Sequence, residues 1–276
     1  MRVGIVGQGF VGSAVYEGFK KHYPVETYDK FKKSSCQSLE ELCSKTDFIF
    51  ICLPTPMNRD GSCDLRVVEG VISEIDSFGY EKILILKSTV PPGTTAALNN
   101  YYKNVKIVFN PEFLTEANHL EDFKSQNRII IGGPRPYSTK VKTLFKKAFS
   151  TIPIIKTHST IAETVKYFLN CLLATKVSFA NEIKSYCDLI GVDYDKVVEY
   201  ALYDERIGKT HLHVPGPDGK PGFGGSCFPK DINALIYEME KQNLNPIILK
   251  AIWDQNLRLR PEKDWERLEG RAVSHE

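Results

Sequence analysis

"RVGIVGQGFVGSAVYEGFKKHYPVETYD" occupies residues 2–29 and decides the fold of the N-terminal half. Residues 2–6 form a short β-branched run, the pattern of a buried strand. Gly7, Gly9 and Gly12 follow in G-x-G-x-x-G spacing, and residues 11–22 carry the period of an amphipathic helix. A second strand, 25–29, ends in Asp29. Alone, the glycine triplet is a weak signal. Between a strand and a helix, with an acid closing the next strand, it specifies a dinucleotide-binding βαβ unit. Gly7 permits the turn, Gly9 lets backbone approach a pyrophosphate, and Gly12 lets helix and strand pack closely. The helix start, with Phe10 and Val11, offers N–H groups and a positive dipole end to the phosphates. Asp29 can accept hydrogen bonds from both ribose hydroxyls of an adenosine and would repel a 2′-phosphate, which favours NAD over NADP. Lys30, the next residue, offsets part of that repulsion.

Further strands are expected at 48–53, 82–87, 105–109, 128–132 and 152–155, with helices such as 64–76 and 137–149 between them. Strands alternating with helices mean an α/β domain with a doubly wound, Rossmann-type parallel sheet. Ligands of such sheets bind at the carboxyl ends of the strands. Function is therefore expected in "PTPMNRDGSCD" (54–64), "STVPPGTT" (88–95) and "NPEFLTEAN" (110–118). Glu112 and Glu116 are four apart. If the last segment is helical they share a face, and an acid-rich first turn of a helix explains them equally well.

From about residue 157 the strand signal stops. Residues 159–191 hold no glycine or proline until their end and read as one long helix. Ser159 or Thr160 can cap it, and Ile161, Val165, Phe168, Leu169, Leu172 and Leu173 make an apolar stripe. Lys166 and Asn170 lie beside that stripe, where a surface lysine and asparagine are the plain reading. Helices are expected near 193–202, 229–242 and 245–260. The expected organisation is a cofactor domain over 1–157 and a mainly helical domain over 158–276. A helical domain of that size has a limited core, so packing against a second copy is natural.

The last motif is "GFGGSCFPKD" (222–231). Pro229 suits the first turn of a helix, which puts Cys227 at that helix's N-terminus. The dipole and Lys230 both favour thiolate there, and Asp231 lies in the same turn. A small buried hydrophobe is the usual fate of a cysteine and fits Cys52 and Cys171, which stand in apolar runs. A thiol beside a dinucleotide site suggests one chemistry: oxidation of an alcohol to an aldehyde, capture by the thiolate, a second hydride loss, and hydrolysis of the thioester.

The totals exclude other classes. A net charge of +2 does not suggest nucleic acid or a membrane as partner, and no apolar run approaches the roughly 20 residues of a membrane span. The N-terminus lacks the layout of a signal peptide. Seven scattered cysteines without a C-x-x-C pair argue against disulfides or a metal site and for a reducing, cytoplasmic compartment.

The sequence resembles the UDP-glucose/GDP-mannose 6-dehydrogenase family over nearly its whole length. "GIVGQGFVGSAV", "PTPMNRDGSCDL", "KSTVPPGTT", "FNPEFLTEA", "AETVKYFLN", "DERIG" and "GFGGSCFPKD" match that family's motifs in order. The resemblance implies NAD-dependent oxidation of a nucleotide sugar, UDP-glucose first, with GDP-mannose or a UDP-N-acetylhexosamine as alternatives. Cys227 would be the nucleophile, and Asp231 would help activate thiol and water. Lys166 and Asn170 would stabilise oxyanions, and Glu112 would be the base for thioester hydrolysis. Thr89 and Glu116 would lie near the nicotinamide and the catalytic water, with Thr55, Ser88 and Lys230 also at the cofactor. Phe113, Leu114, Phe223 and Gly224 would hold the sugar nucleotide, and Arg206 would reach it, in the family often across a homodimer interface. Family members usually continue into a third domain that covers the substrate. The reading expects this chain to lack it, with "VPGPDGKPG" (214–222) as an insertion suited to substitute for that cover. Two rival readings remain: a two-domain dehydrogenase of the 3-hydroxyacid or 6-phosphogluconate kind, which needs no cysteine, and an NAD-binding protein without turnover.

Overall fold

The structure is a computed structural model that describes residues 1–274. The chain divides into two compact units, one of Met1–Thr55 with Leu65–Lys166, the other of Pro56–Asp64 with Tyr167–Glu276. The first therefore runs past the expected boundary at 157, and the second takes in part of the loop 54–64. The final two residues of the expected helical domain, 275 and 276, lie outside the described residues.

The first unit holds strands β1 (Val3–Val6), β2 (Val25–Tyr28), β3 (Phe48–Ile51), β4 (Ile83–Leu86), β5 (Lys106–Phe109), β6 (Ile129–Gly132) and β7 (Ile154–Thr157). They form one sheet in the order β2-β1-β3-β4-β5-β6-β7. Pairing is parallel, as expected, except between β5 and β6, which meet antiparallel at Phe109 and Gly132. Strand residues alternate between two cores. Val3, Ile5, Phe48, Phe50, Ile83 and Ile85 enter one, and Val6, Ile49, Ile51, Leu84 and Leu86 enter the other. Helices α1 (Phe10–Phe19), α5 (His119–Lys124) and α6 (Tyr137–Ala148) cover the first face, while α2 (Leu39–Lys45), α3 (Arg66–Ser77) and α4 (Thr94–Tyr101) cover the second. A sheet buried on both sides needs continuous apolar strands, which is what "FIFI" and "ILIL" supply.

Three short helices were not expected. Helix α2 has a readable signal: Ser38 caps it by accepting from the Glu41 N–H at 3.1 Å, in the S-x-x-E pattern of a capping box. Helix α4 has none nearby, because its N-terminal N–H groups are capped from elsewhere. Glu163 accepts from Gly93 N at 2.6 Å and Thr95 N at 2.8 Å. Helix α5 is six residues long and starts only at His119.

Helix α7 (Ser159–Ile190) is uninterrupted over 32 residues, and the expected apolar stripe divides: Val165, Leu169 and Leu173 are half-buried, while Ile161, Phe168 and Leu172 face outward. Ile161, Phe168, Leu172, Phe179, Tyr186 and Ile190 are all exposed, while Glu163, Lys166, Asn170, Ser178 and Asn181 are buried. In the second unit α8 (Tyr194–Ala201), α9 (Phe228–Lys241) and α10 (Ile247–Leu259) gather small cores around Cys171, Phe223, Ile232 and Ile252 and around Ala180, Cys187 and Tyr194. Residues 56–64 join this unit through backbone bonds of Met57 to Ala272 and Ser274. The charged tail also folds: a short 3-10 turn (Asp264–Arg267) buries Trp265 against Trp253. Among the described residues no helix is long and apolar enough to cross a membrane.

Candidate active site

In the first unit the cofactor loop follows β1. Gly7 has φ +89°, and a Cβ there would strike the Cys52 carbonyl. A Cβ at Gly12 would overlap the Gly7 carbonyl, so that glycine serves packing. Gly9 is different. A Cβ there meets nothing within 4 Å. Gly9 is the N-cap of α1, and the first turn of that helix carries no acid. The space at Gly9 lies where the helix dipole is positive, which fits a dinucleotide pyrophosphate. Phe10 and Val11 follow in the first turn, Phe10 edge-on to His119 at 6.0 Å. Asp29, just past β2, accepts from Gln8 N at 2.6 Å, Phe31 N at 2.9 Å and Lys32 N at 3.1 Å. These bonds fix the carboxylate at the strand end, where a ribose would meet it. Lys30 is exposed, its ammonium 5.8 Å from the Phe31 ring centre.

The ends of β3 and β4 are tied together. Thr55 Oγ1 donates to the Thr89 carbonyl at 2.7 Å, and Leu53 N donates to Ser88 Oγ at 3.0 Å. Thr55, Ser88 and Thr89 are all buried. After β5 the segment 111–115 is irregular, not helical, so Glu112 and Glu116 part: Glu112 is buried and Glu116 exposed. Lys166 donates to Glu112 Oε1 at 2.9 Å, and Leu114 N to Oε2 at 2.7 Å. Burial alone would push the Glu112 carboxyl up. The Lys166 charge and hydrogen bond, the Leu114 N–H and the Lys87 charge outweigh it and hold Glu112 below the usual carboxylate range. Phe113 lies between two cations, Arg128 at 4.6 Å and Lys166 at 5.7 Å from its ring centre. A cavity of 280 Å³ opens here, lined by Lys87, Glu112, Phe113, Leu114 and Arg128 among others.

Two functional candidates here escaped the sequence reading. Glu163 opens the E-x-x-K-x-x-x-N pattern and, through its bonds to Gly93 and Thr95, fixes the loop that carries Ser88 and Thr89. Lys87 is 3% exposed and donates to Asn110 Oδ1 at 2.8 Å. Its position at the end of a buried strand, directly before Ser88, was the available signal.

In the second unit Cys227 is the N-cap of α9, with Pro229 in the first turn, and Asp231 N donates to its carbonyl at 3.0 Å. The Asp231 side chain is 1% exposed. Asn170 donates to one of its oxygens and Lys230 to the other, both at 2.5 Å. Burial works against the Lys230 charge, but Asp231 and the Cys227 and Cys63 thiols win and raise its pKa above the ordinary lysine value. Cys227 is half-buried, whereas Cys52 and Cys171 are buried, and burial pushes the Cys52 thiol up to about 12. Among the described residues no disulfide or metal-binding group is present.

The remaining candidates sit differently. Phe223 is 4% exposed and packs on Phe228 and Trp253. Both of its backbone polar groups are bonded to Asn256, so it is committed to the core. Gly224 is half-buried against Arg260 and Asp264. Arg206 is largely exposed and forks onto Asp204.

Burial lowers Lys87 to about 8, the Lys166 charge adding to this and Glu112 opposing it. A lysine depressed in the folded state releases its proton there before the unfolded chain does, so stability should rise as pH climbs from about 8 towards the ordinary 10.5. Thermal unfolding of wild type and Lys87→Met across that interval checks this: the wild-type Tm should gain on the variant, and parallel curves would contradict it.

Residues 25–150 match the NAD binding domain of the UDP-glucose/GDP-mannose dehydrogenase family, and residues 160–258 match its central domain. A UDP-glucose 6-dehydrogenase of Rickettsia conorii is 31% identical over 247 residues, covering 88% of this chain and 56% of that protein. One from Haloferax volcanii is 30% identical, covering 93% of this chain and 69% of that protein. The UDP-glucose dehydrogenase structure from Pyrobaculum islandicum superposes with a TM-score of 0.83 at 30% identity, over 97% of this chain and 71% of that one. The chain spans 56% of the length of the Rickettsia relative. With an NAD-binding domain and a central domain in the family's order, it belongs to the UDP-glucose/GDP-mannose dehydrogenase family.

Proposed function

We propose that this chain oxidises the C6 alcohol of a nucleotide sugar, UDP-glucose, to the carboxylate through a covalent adduct on Cys227. The observation that carries this reading is a half-buried thiol at the N-cap of α9, in a chain that also holds an NAD-binding domain. The choice of sugar rests on the relatives named UDP-glucose 6-dehydrogenase. GDP-mannose and UDP-N-acetylhexosamines are the alternatives.

The balance is one alcohol, two NAD⁺ and one water giving one carboxylate, two NADH and three protons. When bound, NAD accepts the hydride in each oxidation. The chain does the rest. Cys227 thiolate adds to the aldehyde carbon and forms the C–S bond that retains it. Lys166 and Asn170, one turn apart on α7, donate to the oxyanion. The second oxidation leaves a thioester, water attacks its carbonyl, and the C–S bond breaks. Glu112, held ionised by Lys166, takes the proton of that water. Asp231, clasped by Asn170 and Lys230, orients the thiol's surroundings. Thr55, Ser88, Thr89 and Glu116 stand at the strand ends and the following loop, where the cofactor domain of such a fold binds its ligand. A panel of nucleotide sugars with NAD should give two NADH per sugar consumed for one member, and none with Cys227→Ser. One NADH per sugar with free aldehyde released would sink the four-electron mechanism.

We also propose a homodimer through α7. Ile161, Phe168, Leu172, Phe179, Tyr186 and Ile190 recur at intervals of seven and four, which places them in one narrow stripe on the helix, all exposed. So long an apolar stripe on a soluble surface marks an interaction site, and Arg206, exposed nearby in the chain, is suited to serve a partner's substrate. Sedimentation should find a dimer for wild type and monomer for Phe179→Asp. A wild-type monomer would contradict the proposal.

A further inference from the structure

We propose that Arg260 and Asn256 are positioning residues for Cys227, and that the insertion at 214–222 is the strap that keeps them engaged. This deepens the reading of Cys227 as nucleophile. The backbone ahead of the thiol is gripped by three buried side chains: Asn181 of α7, and Asn256 and Arg260 of α10 and its C-cap. Asn181 Oδ1 accepts from Gly222 N at 3.2 Å. Asn256 pairs with Phe223 as a neighbouring strand would, accepting from its N–H at 2.8 Å and donating to its carbonyl at 2.9 Å. Arg260 donates through Nε to the Pro221 carbonyl at 2.8 Å and through Nη2 to that of Gly222 at 3.4 Å. Every backbone polar group from the Pro221 carbonyl to the Phe223 carbonyl is thus held by a side chain.

The grip explains two of the glycines before the cysteine. A Cβ at Gly222 would press on Asn256 Oδ1, and one at Gly224 would overlap the Arg260 guanidinium and the Asp264 carboxylate. Gly225, at φ +70°, faces open space. Beyond Cys227 the chain is anchored again, because Asp231 N bonds the Cys227 carbonyl and its carboxylate is fixed by Asn170 and Lys230. The thiol therefore sits on a short span between two fixed ends.

Arg260 is 1% exposed, and a buried guanidinium needs counter-charges. Asp264 supplies one at 3.2 Å, and Asp218 of the insertion the other at 2.5 Å. The insertion is closed by Gly216 N to the Lys220 carbonyl at 2.8 Å and tied a second time by Lys220 to Glu262 at 2.7 Å. The planar fork of arginine sets the angle between the carbonyls and the carboxylates it joins, which a lysine cannot do.

The test uses the full chain with Asp218→Asn, which removes the strap's charge at a half-exposed position, and Arg260→Lys, which keeps charge but loses the fork. Circular dichroism checks the fold of each. Alkylation of Cys227 by iodoacetamide, resolved by peptide mass, is followed against pH without substrate. Lys230, whose charge also interacts with Asp231 and Cys63, acts on this thiol, and Ser226 Oγ lies 3.9 Å from its sulfur. Both variants should move the alkylation midpoint up by about half a unit or more, as the thiol drifts from the helix N-terminus. Asp218→Glu should restore it. In turnover, Asp218→Asn should lower kcat about tenfold with KM for the nucleotide sugar little changed. An unchanged midpoint in a folded variant overturns the proposal, and so does a raised KM with kcat intact, which would make the insertion a substrate cover. Alkylation needs no turnover, so absent dehydrogenase activity with a shifted midpoint would sink the functional reading alone.

Discussion

A lysine ammonium and a glutamate carboxylate lie 2.9 Å apart with side chains 3% and 6% exposed. Burying both charges is costly, and the attraction between them returns that cost only when the geometry is good. Removing Lys166 alone would strand the Glu112 carboxylate in the interior, a loss of about 3–5 kcal/mol. Such a pair does little for stability against an apolar isostere, but it specifies one arrangement. It fixes the loop after β5 to α7, and α7 repeats the device along its buried face. Glu163 caps α4, Lys166 holds Glu112, Asn170 holds Asp231 and Asn181 holds Gly222.

This is why α7 buries polar side chains among the small apolar ones of its inner face while leaving large apolar ones exposed. An ordinary surface helix buries its apolar stripe. Here Glu163, Lys166, Asn170 and Asn181 each satisfy a backbone or carboxylate group of a loop, so burying them is compensated. The outward stripe then has no partner within its own helix, and a second copy of the chain is the occupant proposed for it.

Much of the cofactor half was legible in residues 2–29, because the signals are local: a strand, three glycines, a helix and an acid. Gly7 and Gly12 stand where a Cβ would strike backbone, and Gly9 where space is open. What was illegible depends on long-range pairing. Helix α4 owes its start to Glu163, 68 residues beyond Thr95. The buried state of Lys166 and Asn170 follows from Glu112 and Asp231, distant in sequence, so periodicity placed them beside an apolar stripe that was taken for the buried face. The antiparallel β6 gave no sign, since pairing direction is not written in the composition of a buried strand. In the motif around Cys227, Gly222 and Gly224 leave room for the side chains of Asn256, Arg260 and Asp264, which are distant in sequence.

The central claim is that Cys227 carries the substrate between two oxidations, with Glu112 completing the release. It is tested most directly by incubating the Glu112→Gln chain with NAD and UDP-glucose, quenching in acid and measuring the mass of the peptide containing Cys227. The account predicts a nucleotide-sugar acyl adduct on that cysteine, because hydrolysis of the thioester is slowed while its formation is not. NADH formation with the Cys227 peptide unmodified at every time of quench would contradict it.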